Sequence, residues 1–294
     1  MSQKFIVEEV KSEWERESED MGSKRKFWYN KPTAGKWLFK FPRGSSGEHW
    51  AEKTAAEVAT VLGIGHAIVE LAVFKGRRGS TTKSFAGVDA GQILIHGNQL
   101  LELEVQGYDP SKTFHQSSHT LKNIWRVFDT VLQNSEDAKH RFADYLVFDA
   151  IIGNTDRHHE NWGLLFHVAE NKVSVDLAPT YDHASSLGRE LSDSKRERIF
   201  ANDQLSAYVE RARGAIYWSE SDSRGISPLE LVRRSVDAYP EWFGPALQRI
   251  KKLDTESILN VSKQIPDEWI SALGRDFMVR QLDYSISKLQ ELFE

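Results

Sequence analysis

Asp156 and Asn161 stand five residues apart in the segment Ile151 to Leu165, IIGNTDRHHENWGLL, where polar and charged groups sit between two apolar runs. A carboxylate followed by a carboxamide at that interval suits phosphoryl transfer. The Asp accepts the proton of an acceptor hydroxyl or orients it, and the Asn lends a neutral oxygen to Mg²⁺. Taken alone, Asn154, Asp156 and Asn161 are better explained as turn caps, which these residue types form constantly. A second carboxylate, Asp182 in APTYDHASSLG, follows a short strand downstream, in the order a metal-binding Asp requires. Mg²⁺ is a hard cation that takes carboxylate and amide oxygens together with phosphate, so Asn161 and Asp182 together are candidates to complete its shell around ATP, though neither alone makes the case. His158, His159 and Glu160 invite a zinc reading, but adjacent histidines point in different directions and no further ligand stands at helical spacing.

Lys40 lies inside the apolar strand Trp37-Leu38-Phe39-Lys40-Phe41, where an unpaired ammonium is costly and a phosphate or carboxylate partner is needed. In an edge strand, the same lysine would pack its stem and keep its head in water. The following helix offers Glu52, which at 100° per residue shares a face with Ala55, Ala56 and Ala59, whereas Glu57 points away. Gly22, Ser23 and Lys24 form a short turn ahead of the strand, able to present backbone N–H groups to phosphates.

The elements that must position these residues fall into two regions. Lys26 to Tyr29 and Lys36 to Phe41, separated by the turn-rich Asn30 to Gly35, read as a hairpin. Glu48 to Leu62, rich in Ala, Glu and Lys and closed by Gly63, reads as a helix with a glycine cap. His66 to Phe74, Lys83 to Phe85, Gln92 to His96 and Leu100 to Val105 read as further strands, and Glu8 to Asp20 as a helix or a loose lead-in. After residue 105 the period becomes helical: Thr120 to Leu132, Glu136 to Ile152 and everything beyond Pro228, interrupted by strands at Trp162 to His167 and Lys172 to Leu177. The expected class is α+β, with a small β-rich lobe over residues 1–105 and a larger helical lobe over 106–294.

Bulk properties narrow the chemistry. The 294 residues carry 38 basic and 43 acidic side chains, a net charge of -5, so no global positive field is available to hold a nucleic-acid backbone. Cysteine is absent, which excludes disulfides, thiolate metal sites and a cysteine nucleophile and accords with a reducing compartment. No apolar run approaches the roughly 20 residues a bilayer span needs, and the charged opening lacks a signal-peptide core. A cytoplasmic protein with no membrane partner is expected.

Together these motifs resemble the HipA-like kinases, a family related in fold to eukaryotic protein kinases and phosphoinositide kinases. GNTDRHHEN is similar to that family's catalytic loop, LAPTYDHASSLG to its metal-binding segment, and WLFKFP followed by GEHWAEKTAAEVATVLGI to its lysine strand and helix. The likeness runs from about residue 20 to 290 and is to the compact members, which lack an extra N-terminal subdomain. Tyr181-Asp182-His183 stands where eukaryotic kinases carry a DFG sequence.

The resemblance implies a protein serine/threonine kinase using ATP and Mg²⁺. It implies Asp156 as the catalytic residue, Asn161 and Asp182 as Mg²⁺ ligands, Lys40 as the contact to the ATP phosphates and Glu52 as its ion-pair partner. Gly22, Ser23 and Lys24 match the family's phosphate loop only loosely, with Ser23 a candidate autophosphorylation site. Beside the protein substrate, the resemblance makes an antitoxin protein a candidate partner, as in a toxin–antitoxin pair. Rival readings are a small-molecule or lipid kinase on the same scaffold, a catalytically silent nucleotide-binding module, and a metal-dependent hydrolase.

Overall fold

In the computed structural model, residues 3–14, 16–18, 25–87, 91–169 and 172–293 are described. The strands are β1 (Val7–Val10), β2 (Arg16–Ser18), β3 (Lys26–Lys31), β4 (Gly35–Lys40), β5 (Val69–Phe74), β6 (Arg77–Lys83), β7 (Gln92–His96), β8 (Gly163–Ala169) and β9 (Lys172–Leu177). The helices are α1 (Glu48–Val61), α2 (Gly97–Glu104), α3 (Leu121–Val131), α4 (Ser135–Ile152), α5 (Asp193–Ala201), α6 (Leu205–Glu210), α7 (Pro228–Ala238), α8 (Pro240–Lys251), α9 (Thr255–Val261) and α10 (Ala272–Gln290). They make up two compact units. One comprises Met1–Phe85, Asp182–Asp203 and Asp254–Asp283, the other Ala86–Tyr181, Gln204–Leu253 and Tyr284–Glu294. These units and the expected division at residue 105 do not coincide, because the second unit begins at Ala86 and two later segments return to the first.

The first unit is organised by a six-stranded sheet in the order β1-β5-β6-β4-β3-β2. Alternation in β4 sends Trp37 and Phe39 into a core shared with Val10, Tyr29, Phe41, Ala72 and Phe74. Lys40 is the last residue of that strand. It therefore lies on an interior strand flanked by β3 and β6, with Ser80 opposite it in the β6 register, and the edge-strand alternative does not apply. Gly79 is required here, since a Cβ at that position would stand 2.5 Å from the carbonyl oxygen of Lys40. Helix α1 packs on β5 and β6 through Ala51, Ala55, Ala56 and Ala59, all buried, and these small side chains let the helix approach the sheet closely. Lys53 fastens it by donating to the Val69 carbonyl at 2.9 Å and pairing with Glu57 and Glu70.

The second unit holds the β7-β8-β9 sheet and a helical core around α4. Asn134 caps the start of α4 by accepting from the Asp137 amide, and Gly153, in the left-handed region at φ 65°, ends it. Phe142, Leu146, Phe148, Ile151 and Ile152 are buried, and α3, α7 and α8 pack around them.

Three local expectations are corrected. The strand expected at Lys83 to Phe85 lies instead at Arg77–Lys83 and ends where that expectation began. Leu100 to Val105 is not a strand: His96 and Gln99 form a capping box that starts α2, whose Leu100 and Leu101 are buried. The segment Glu8 to Asp20 is not helical at its start, because Val7–Val10 pairs in parallel with β5.

Candidate active site

In the first unit, Lys40 Nζ lies 3.0 Å from Glu52 Oε1 and 3.2 Å from Asp182 Oδ1. Glu52 is 1% exposed and its second oxygen accepts from Ser80 Oγ at 3.0 Å, so both carboxylate oxygens are engaged and the side chain cannot swing away. Burial works against the Lys40 charge, but the carboxylates of Asp182 and Glu52 overcome it and hold its pKa above the ordinary lysine value. The ammonium therefore remains charged across any physiological pH. Asp182 has φ 57°, in the left-handed region that Asp tolerates better than most residues, and Leu187 and Gly188 follow with φ of 58° and 66°. Backbone held in sparsely populated regions clusters at functional sites.

In the second unit, Asp156 and Asn161 share one loop directly after α4. Asn161 Nδ2 donates to the Asp156 carbonyl at 2.6 Å, and its own amide donates to the His158 carbonyl. That bond fixes the orientation of the carboxamide and leaves Oδ1 as its acceptor end, the kind of neutral oxygen that Mg²⁺ takes. The Asp156 amide donates to Asn154 Oδ1 at 3.1 Å, and the Asp156 side chain is 31% exposed, accessible to an acceptor group.

The loop is held by groups that the sequence did not single out. Arg157, 3% exposed, donates through Nε to Asp149 Oδ2 at 2.7 Å and through Nη2 to Asp149 Oδ1 at 2.8 Å. The same guanidinium donates to the carbonyls of Asn161 at 2.6 Å and Tyr181 at 3.3 Å. Burial opposes its charge, and Asp149 more than compensates, raising its pKa. Asp149 also accepts from Asn154 Nδ2 at 2.8 Å, so one buried carboxylate orients both the Asn that holds Asp156 and the Arg that holds Asn161. A carboxylate within the apolar run FADYLVFDAII, eight residues before an Arg, is the signal that could have found this pair. Tyr181 Oη adds a bond to the Glu160 carbonyl at 2.9 Å and lies 2.9 Å from His96 Nδ1.

The two neighbouring histidines part company. His158 Nε2 lies 3.9 Å from Asp156 Oδ1, whereas His159 is buried, with Nδ1 2.7 Å from Tyr108 Oη and its ring beside His119. Burial, reinforced by the nearby His158, lowers the His159 pKa to about 4, so it is neutral at pH 7. Of the residues expected from sequence, Lys40, Glu52 and Asp182 thus meet in one unit, and Asp156 and Asn161 in the other. Gly22, Ser23 and Lys24 lie outside the described residues.

Residues 1–230 match the model of the HipA-like C-terminal domain. A Helicobacter pylori protein named serine/threonine-protein kinase CtkA is 24% identical over 282 residues, which cover 91% of this chain and 80% of that one. The crystal structure of a Helicobacter pylori proinflammatory kinase CtkA superposes with a TM-score of 0.78 at 20% identity, covering 95% of this chain and 94% of that one. HipA of Shewanella oneidensis, solved with HipB and operator DNA, superposes with a TM-score of 0.60 at 14% identity, over 93% of this chain and 64% of HipA.

Proposed function

The chain belongs to the HipA-like C-terminal domain family and has its α+β kinase-like fold, and from that premise we propose that it is a protein serine/threonine kinase using ATP and Mg²⁺. The observation that carries the proposal is the buried ammonium of Lys40, kept charged by Glu52 and by Asp182, the carboxylate that the resemblance assigns to metal binding.

In this reading Lys40 contacts the ATP phosphates and Glu52 fixes its position. Asp156 orients the acceptor hydroxyl and receives its proton as the new P–O bond forms and the bond to the ADP leaving group breaks. Asn161 through Oδ1 and Asp182 through its carboxylate would hold Mg²⁺, which when bound neutralises charge on the phosphate oxygens. Arg157 and Asp149 keep Asp156 and Asn161 at fixed separation, and positioning of this kind supplies much of the barrier reduction in phosphoryl transfer. The presence of HipB beside HipA in the Shewanella oneidensis complex supports an antitoxin protein as a partner for this chain too, to be sought by co-purification.

The test is a thermal-shift series with ATP, with and without Mg²⁺, followed by intact-mass measurement and transfer of labelled phosphate to serine and threonine substrates. Stabilisation that needs Mg²⁺, and label transfer abolished in Asp156→Ala while that variant stays folded, are the expected results. Absence of nucleotide-dependent stabilisation would overturn the reading.

A further inference from the structure

A second site on the first unit is built for an anion. A cleft of about 770 Å³ is lined by the loop after β4, the start of α1, the β5–β6 turn, the segment from Arg189 to Arg196, and Trp269 to Ser271. None of Lys40, Glu52 and Asp182 lines it. Four arginines do: Arg77, Arg78, Arg189 and Arg196.

Two of these charges are already answered. Arg189 pairs with Glu48 at 3.1 Å, and Arg196 with Asp193 at 2.7 Å. Arg77 and Arg78 have no carboxylate partner among the described residues: Arg77 stacks over Phe41 at 4.3 Å, and Arg78 stacks over Trp269 at 5.2 Å while its Nη1 donates to the Glu268 carbonyl, which leaves its other N–H groups for a ligand. Stacking fixes a guanidinium plane while its N–H edge stays able to donate. The cleft thus holds a surplus of positive charge on preoriented forks, the geometry that suits phosphate oxygens.

The buried polar atoms point the same way. Arg196 is 6% exposed, yet its Nε finds no acceptor among the described residues; the Nε of Arg189 and the hydroxyl of Ser46 are likewise buried without a partner. Unmet buried donors of this kind are costly in a native protein unless something completes them. At the same wall, the N-cap of α1 is Gly47, which has no side chain to cap the first amides, and the Glu48 carboxylate in the first turn is already engaged by Arg189 and the Arg43 amide. His49 does not add to the charge, because burial and the nearby Arg78 lower its pKa to about 4.

We propose that this cleft binds a phosphomonoester dianion presented on a polypeptide, such as a phosphoserine. The volume exceeds what a free phosphate fills, and Trp50 and Trp269, with the hydroxyl of Ser45, offer walls for the flanking peptide, the Ser271 hydroxyl being already bonded to Asp193 at 2.7 Å. The proposal does not depend on the kinase reading.

Calorimetric titrations on the full chain at low salt, with inorganic phosphate, O-phospho-L-serine and a phosphoserine peptide beside its unphosphorylated twin, test it. The phosphopeptide should bind at least about tenfold more tightly than inorganic phosphate, and the unphosphorylated twin not at all. Arg77 and Arg78 are exposed, so the double variant Arg77→Ala/Arg78→Ala should fold and lose about tenfold or more in affinity, whereas Lys122→Ala, which removes an exposed charge that does not line the cleft, should lose none. Lys40→Met separates this cleft from a nucleotide site: phosphopeptide binding should survive it even where ATP binding does not. Equal affinity for inorganic phosphate and phosphopeptide overturns the polypeptide source. Unchanged affinity in the double arginine variant, or binding lost only in Lys40→Met, overturns the site.

Discussion

Removing Asp149 should damage stability and turnover together, and the two losses should separate in a double variant. Asp149 accepts three hydrogen bonds, two from Arg157 at 2.7 and 2.8 Å and one from Asn154 at 2.8 Å, and both Asp149 and Arg157 are almost fully buried. Truncation to alanine strands a buried guanidinium, a class of change that costs about 3 to 5 kcal/mol. That is a large share of a typical total stability of about 5 to 15 kcal/mol, so the variant should fold but unfold roughly 10 °C lower. Turnover should fall by about two orders of magnitude, because displacement of a positioned group by about 1 Å is enough to do so. The companion variant Asp149→Leu/Arg157→Met replaces the pair with apolar side chains of similar reach, which is often close to neutral for stability. It should recover most of the lost stability in urea titrations. It should not recover turnover, because the Asn161 carbonyl and the Asn154 amide still lack the partners that orient the loop. A cost below about 1 kcal/mol for Asp149→Ala, or wild-type phosphoryl transfer by the double variant, would refute the reasoning.

Three further outcomes are expected. Glu52→Ala should lower stability by about 2 to 4 kcal/mol, less than a full pair disruption because Lys40 keeps Asp182, and should raise KM for ATP; chemical denaturation and initial rates check both. Asp182→Asn should shift the Mg²⁺ dependence of the rate as Asp182→Ala does but destabilise less, by about 1 kcal/mol, since Asn accepts the left-handed backbone at φ 57° more readily than Ala. His49 and His159 have pKa values lowered to about 4 and His119 to about 3, each mainly by burial, against 6.5 in the unfolded chain. Stability should therefore be at its full value above pH 6.5. It should fall as pH drops towards 4, because the unfolded chain takes up protons that the native state refuses, on the order of 1 kcal/mol per pH unit per histidine. Urea midpoints at pH 7.5, 6 and 5 that stay level or rise would contradict this.

The hairpin, α1 and α4 were readable because their periodicity is local: apolar alternation in Trp37 to Phe41, alanine enrichment after Gly47, and an apolar face closed by Gly153. The partner of Lys40 was legible for the same reason, since helical geometry puts Glu52 on the alanine face that meets the sheet. The parallel pairing of β1 with β5 was not legible, because it joins Val7 to Leu71 and leaves no mark in the four-residue strand itself. Helix α2 was missed because its capping box uses His96 in place of the usual Ser or Thr. The support of Asp156 and Asn161 escaped notice for a different reason. A buried Asp–Arg pair looks in sequence like two ordinary charged residues, and only the fold shows that water is excluded from both.

The packing at Gly97 ties its identity to residues more than sixty positions downstream. A Cβ there would stand 2.2 Å from the Trp162 ring and 2.7 Å from the His159 carbonyl, and the amides of Gly97 and Asn98 donate to the carbonyls of Trp162 and His159. The start of α2 thus serves as a template for the loop that carries Asn161. Across homologous sequences, position 97 and the ring size at position 162 should drift together, with a side chain at one tolerated only where the other has shrunk. Because a main-chain oxygen forms part of the obstruction, such exchanges should stay rare, and the pair should keep its glycine and tryptophan long after the surrounding surface has diverged.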